Sequence, residues 1–147
     1  MSDRGLTHVA LQVRDLDRSV AFYARYAAMR IVHARSEADG TRVAWLSDGT
    51  RPFVIVLAQS ARIDAVLRPF AHLGVGCASR AEVDRLCAQA SAEGTLVAPP
   101  VDHGPPVGYA AFLSDPDGHT LELSFGQEVG LAVVDAEAGR ARVEPER

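Results

Sequence analysis

The stretch Asp115-Pro116-Asp117-Gly118-His119-Thr120-Leu121-Glu122-Leu123-Ser124-Phe125 decides how this chain reads. Asp-Pro and Asp-Gly are turn chemistry: proline presets φ, and glycine accepts a positive φ at no steric cost. A strand follows, because the next residues alternate. Leu121, Leu123 and Phe125 point one way, and Thr120, Glu122 and Ser124 the other. Glu122 is thus a carboxylate on a face that it shares only with small hydroxyls.

Working outward, residues 109–114 and 95–98 read as strands, and 99–108 as an irregular loop carrying four prolines and two glycines. Before them, Val83, Leu86, Cys87 and Ala90 recur at helical spacing. Ser79-Arg80-Ala81-Glu82 has the capping-box form ahead of this helix, and Gly94 is its natural stop. In 69–77, Leu73, Val75 and Cys77 alternate with His72, Gly74 and Gly76. The N-terminal half repeats the pattern. In 6–13, Val9, Leu11 and Val13 face one side, and His8, Ala10 and Gln12 the other. Asp15 caps a helix whose stripe is Leu16, Val20, Tyr23, Ala24 and Ala27. Three strands follow in 31–33, 41–47 and 52–57, with Asp39-Gly40 and Asp48-Gly49 as the turns. Beyond Gln127 the chain is rich in Ala, Glu and Arg; 131–134 suits a short strand or surface packing, and the last ten residues read as frayed.

The halves superpose at an offset of 64 residues. Thr7-His8-Val9-Ala10-Leu11-Gln12-Val13 falls on Ala71-His72-Leu73-Gly74-Val75-Gly76-Cys77, and the histidines coincide. Ala44-Trp45-Leu46-Ser47-Asp48 likewise resembles Ala111-Phe112-Leu113-Ser114-Asp115. Two βαβββ units of common origin follow. The fold class is α+β: tandem modules at about 5–58 and 69–126, forming one domain over 1–126 with a cupped mixed sheet and helices on its outer face. Residues 127–147 form a C-terminal extension.

Composition narrows the function. The 147 residues have a net charge of −4 and no basic block, which argues against nucleic acid as a partner. All fifteen cationic side chains are arginine, so lysine Schiff-base chemistry is excluded. No stretch resembles a signal peptide or a membrane span, so a cytoplasmic location is expected. Cys77 and Cys87 lack zinc-ligand spacing and read as buried thiols in a reducing compartment.

Each first strand carries a histidine opposite its apolar stripe. Helices must cover the apolar faces, so His8, His72 and Glu122 are left facing the space that the sheets enclose. Two neutral imidazoles and a carboxylate on one side of an ion suit Fe2+, Mn2+, Zn2+ or Ni2+, with open positions for water and a chelating substrate. Tyr109 is an acid or hydrogen-bond-donor candidate beside them. Gln12, Trp45 and Val56 are substrate-contact candidates. His103 suits an exposed loop position or a lid group. His119 has the wrong parity for a ligand.

LTHVALQVRDLDRSVAFY near the N-terminus and FLSDPDGHTLEL near the C-terminus resemble the vicinal oxygen chelate superfamily. It includes glyoxalase I, extradiol dioxygenases, fosfomycin-resistance transferases and bleomycin-resistance proteins. The resemblance covers about residues 5–126. It implies paired βαβββ modules, metal ligands at His8, His72 and Glu122, and a homodimer. The departures are informative. Glyoxalase I usually has a Glu or Gln as fourth ligand on the last strand of its first module, where this chain has Val56. Extradiol dioxygenases usually supply a histidine from the preceding module, but no histidine lies between His33 and His72, and their usual tyrosine falls on Phe112. The lysine-containing potassium loop of fosfomycin transferases has no counterpart here. Bleomycin-type binders usually lack the triad.

The expectation is a divalent-metal enzyme of the glyoxalase/dioxygenase type that holds a small oxygen-rich molecule through two oxygens. Fe2+-type dioxygenation and isomerase or lyase chemistry are nearly even. The rival is a drug- or metabolite-sequestering protein indifferent to chelators; a regulatory dimer with a collapsed cavity is a third reading.

Overall fold

A computed structural model describes residues 4–143. The element order is β1 (His8–Val13), α1 (Leu16–Ala27), β2 (Arg30–Ser36), β3 (Arg42–Ser47), β4 (Val54–Gln59), β5 (His72–Gly76), α2 (Arg80–Glu93), β6 (Leu96–Asp102), β7 (Tyr109–Ser114), β8 (Thr120–Phe125) and α3 (Val129–Val143). The strands form two four-stranded sheets with the same plan, β1-β4-β3-β2 and β5-β8-β7-β6. The duplication read from the matched histidines is therefore present as repeated topology.

The chain forms two compact units, and they do not follow the repeats strictly. One runs up to Leu73 and includes Ser114–Leu121; the other holds Gly74–Leu113 and the chain from Glu122 onward. The turn after β7 thus belongs to the first unit.

In the first unit β1 runs parallel to β4, and β3 antiparallel to both β4 and β2. α1 covers one face by packing on β2, β3 and β4. Leu11, Val13, Ala44, Leu46, Ile55 and Leu57 from the strands are buried with Leu16, Phe22, Tyr23 and Tyr26 from the helix. The helix starts where expected, with the Asp15 carboxylate accepting from Arg18 N–H. It stops at Ala28, a non-glycine residue at φ 51°.

The first unit closes on the Asp115–Gly118 turn. Gly118 takes φ 92°, as the Asp-Gly pair requires. The Asp115 carboxylate accepts from its own turn, from the N–H of Asp117 and of His119. Its other oxygen accepts the Tyr23 hydroxyl of α1 at 2.8 Å. Asp117 accepts Arg14 N–H at 3.1 Å. His119 is fully buried; its Nδ1 accepts from Leu67 N–H, so Nε2 carries the proton and donates to the Gln12 carbonyl at 2.9 Å. Three side chains of one turn therefore satisfy polar groups on β1, the β1–α1 junction and α1.

The second unit departs from expectation in four places. β6 runs to Asp102 through Pro99 and Pro100, where the sequence suggested a loop. It is an edge strand, and its register with β7 shifts around Ala98 and Val101, so missing N–H donors there cost no ladder bonds. The capping box is half formed: Ser79 accepts from Glu82 N–H, but the Glu82 carboxylate accepts from Ala78 N–H, one residue further out. Residues 129–143 form α3 instead of a short strand and a frayed end; residues 144–147 lie outside the described residues. Finally, Tyr109 stands with α2, with its hydroxyl donating to Asp84 and the Arg80 guanidinium 4.7 Å over its ring.

Candidate metal centre

His8 and His72 are exposed, whereas Glu122 is 6% exposed. His8 and His72 lie in the first unit and Glu122 in the second. Among the described residues no three His, Cys, Asp or Glu side chains are gathered closely enough to hold a metal ion.

Each donor is nevertheless held by local structure. His72 Nδ1 lies 2.6 Å from the Phe70 carbonyl, an acceptor only, so Nδ1 carries the proton and the lone pair of the neutral ring sits on Nε2. A backbone carbonyl on the far nitrogen is the usual companion of a metal-binding imidazole. His8 Nδ1 is 2.9 Å from the Thr7 hydroxyl, an equivalent anchor whose direction is set by the tautomer. Glu122 accepts from Gln127 Nε2 at 3.2 Å. Gly74 faces it across the sheet: a Cβ there would sit 3.8 Å from Glu122 Oε1. A glycine at that point leaves the carboxylate room beside β5. Burying a carboxylate carries a desolvation cost that hydrogen bonds or a cation must offset.

The remaining candidates divide. Gln12 shares a face with His8, but its amide is engaged by Asp64: Oε1 accepts Asp64 N–H at 2.7 Å and Nε2 donates to the carboxylate at 3.3 Å. Val56 lies opposite Ala10 on β1 and Trp45 on β3, so that face of β4 presents Val54, Val56 and Ala58 and no carboxylate. Trp45 is 37% exposed on this face, with the His33 ring against it. Tyr109, expected beside the donors, is instead on the helix side, because Ala111 and Leu113 of the same parity are buried core. Burial and, first, the hydrogen bond to Asp84 raise its phenol above the ordinary value. His103 is exposed in the turn after β6.

Two contributors were not foreseen. Gln127 carries no motif, and only the end of β8 at Phe125 brings it back to Glu122. His33 had a readable signal: a hairpin centred on Asp39 pairs residues equally distant from it, and His33 and Trp45 are partners. A groove of about 480 Å3 in the second unit is lined by Pro106, Val107, Val129, Ala132 and Val133 and includes none of the three donors.

This fold has known counterparts. Residues 5–123 match the Glyoxalase/Bleomycin resistance protein/Dioxygenase superfamily, and the chain belongs to that family. An uncharacterized protein of Pseudomonas aeruginosa is 39% identical over 129 residues, covering 85% of this chain and 91% of that one. Lactoylglutathione lyase of Salmonella typhimurium is 28% identical over 130 residues, covering 85% and 95%. The fold matches the fosfomycin resistance protein FosX of Listeria monocytogenes, crystallised with Mn(II) and a dihydroxypropylphosphonic acid, at TM-score 0.68 and 19% identity over 90% of this chain and 99% of that one. A mutant of glyoxalase I from Zea mays gives 0.66 at 25% identity, over 84% of this chain and 44% of that one. No helix among the described residues is long and apolar enough to cross a membrane.

Proposed function

We propose that this chain is a divalent-metal-dependent enzyme that binds a small organic substrate through two neighbouring oxygens, with His8, His72 and Glu122 as the protein ligands. The observation that carries the reading is the His72 tautomer: Phe70 O takes the Nδ1 proton and leaves the lone pair on Nε2. The buried Glu122 carboxylate, anchored by Gln127, supports it. A bound ion of this kind supplies Lewis acidity to vicinal oxygens. The chain's own part is to orient: Phe70 and Thr7 fix the imidazoles, Gln127 holds one carboxylate oxygen, and Gly74 keeps space beside it. The apolar Val54 and Val56 exclude water from the adjoining strand face and offer no base for proton transfer. The lactoylglutathione lyase relatives favour redox-neutral isomerase or lyase chemistry over dioxygenation. The protein acts as a homodimer in the cytoplasm under this reading.

Elemental analysis of protein purified without added metal tests it. About one ion per chain is expected, falling at least about tenfold in His8→Ala, His72→Ala and Glu122→Ala. Chelator should lower the melting temperature of the unaltered protein, because an ion present at about 100 times its Kd adds about 2.7 kcal/mol to the folded state. Full metal content in Glu122→Ala, or a melting temperature indifferent to chelator, defeats the proposal. Zinc, nickel or cobalt supports the redox-neutral branch; iron with oxygen consumption supports the other.

A further inference from the structure

Helix α3 presents apolar surface that the metal reading does not use. Val129, Leu131, Val133 and Val134 are exposed at 56%, 61%, 56% and 63%, and they lie around the whole circumference of its first two turns. A helix that is apolar all round is ordinarily buried. No polar face marks out a stripe, but the groove of about 480 Å3 does. Val129, Ala132, Val133 and Ala136, spaced i, i+3, i+4 and i+7, form one wall, and Pro106 and Val107 the other. All six are exposed. Leu131 and Val134 stand on the opposite side of the helix.

Both walls are fixed by close packing within the second unit. Glu128 N–H donates to the Pro106 carbonyl at 2.9 Å, which ties the start of α3 to the facing wall. Gly108, at φ 88°, lies so close to the end of β8 that a Cβ there would come within 2.8 Å of Gly126 C and 2.9 Å of Gln127 N. The charged residue lining the groove is Glu128, and no cation lines it, so it does not suit an anionic ligand.

The stripe is complementary to itself. Laid antiparallel about a twofold axis between Ala132 and Val133, it sets Val129 against the partner's Ala136, and Ala132 against the partner's Val133. Each valine then meets an alanine, and large fills small along the seam. Laid parallel, valine meets valine and alanine meets alanine, which leaves gaps. The area agrees. The exposed apolar surface of the six residues is on the order of 400 Å2, the size of patch that marks an interaction site. With about 57% of an interface apolar, that patch belongs to about 700 Å2 per copy, close to the roughly 800 Å2 per partner of a standard interface.

We propose that the chain pairs with a second copy of itself through antiparallel α3 helices, each seated along the other's groove at Val129, Ala132, Val133 and Ala136. Pro106 and Val107 flank the seam in both copies. The proposal rests on the homodimer reading, gives it a surface, and involves no metal.

Light scattering and sedimentation of the full chain, across a range of concentrations with and without chelator, read the association. A dimer is expected in both conditions. Val133→Glu places a carboxylate in the seam and should raise the dimer dissociation constant at least about tenfold. Its circular dichroism should be unchanged, because the position is exposed. Leu131→Glu, on the opposite side of α3, should leave the dimer intact. Cysteine cross-linking fixes the orientation and does not depend on the glutamate variants. Under mild oxidation, a mixture of Val129→Cys and Ala136→Cys chains should form a disulfide between one of each, located by peptide mapping, faster than either variant links to itself. A dimer that tolerates Val133→Glu, or that Leu131→Glu dissociates instead, overturns the proposal. Preferential self-linking of Val129→Cys, the mark of parallel helices, does the same. A dimer that chelator alone dissociates assigns the contact elsewhere and also overturns it. If the unaltered protein is a monomer, the surface and the homodimer fall together, while the metal content of the same protein still decides the metal reading.

Discussion

Cys77 shows how a single residue's environment sets its chemistry. It is half-buried just after β5, its N–H donates to the Ser124 carbonyl, and burial, then the nearby Glu82 carboxylate, push its thiol up to about 11. The neutral thiol is the form the fold favours. Its contribution to stability is whole below the unfolded thiol's pKa and is lost as pH rises toward 11. At neutral pH its thiolate population is about a hundredfold below that of an unshifted cysteine. Alkylation by iodoacetamide, followed by peptide mapping, should therefore be slow and should keep accelerating to about pH 11; a plateau below pH 9 contradicts this. The sequence placed both thiols indoors, and Cys87 is buried, but only coordinates reveal that Cys77 stays half open. At the same scale, His8, His72 and Glu122 were legible as candidates from strand parity, but not the fact that the described residues do not gather them closely enough to hold an ion. The anchors were less so: Phe70 precedes its histidine by two residues, whereas Gln127 needs the chain to bend at Gly126, φ 78°, before it meets Glu122.

Secondary-structure elements were legible wherever local chemistry and burial agreed. Alternation gave β7 and β8 with their observed bounds, and Asp15 and Ser79 marked both helix starts. β6 was misread because proline content outweighs alternation unless edge position is known. α3 was misread because its exposed apolar residues Leu131, Val133 and Val134 have no amphipathic stripe. The two helix stops make a natural contrast. α2 ends on Gly94 at φ 75°, where glycine is unstrained, but α1 ends on Ala28 at φ 51°, where a Cβ is disfavoured. Ala28 is exposed, so nothing is lost by removing its methyl. Ala28→Gly should stabilise the protein by about 0.5–1 kcal/mol, read as a higher urea midpoint at unchanged slope. A lower midpoint would show that the cap owes nothing to its left-handed residue.

Over the whole chain, repeated sequence correctly announced repeated topology, but not how the compact units are apportioned. The reason lies in Asp115, Asp117 and His119. Their turn reads locally as a link between β7 and β8, yet their side chains bond residues 92 to 107 positions earlier. No periodicity records such pairings. Tyr23 is the measure of their worth. Burial and the Asp115 charge raise its phenol far above the ordinary value, so it stays a donor at any workable pH. Tyr23→Phe leaves a buried carboxylate oxygen short of its donor and should cost about 1–3 kcal/mol in denaturant unfolding. A loss below about 0.5 kcal/mol would mean that solvent replaces the hydroxyl readily.

The same turn bears on synthesis and inheritance. As the polypeptide leaves the ribosome, Gln12 and Tyr23 emerge long before His119 and Asp115 exist, so the leading half waits with polar groups unmatched until most of translation is complete. An ancestral gene that doubled to make this protein has since tied its copies together: neither half can now be expressed alone without orphaning a buried donor or acceptor of the other.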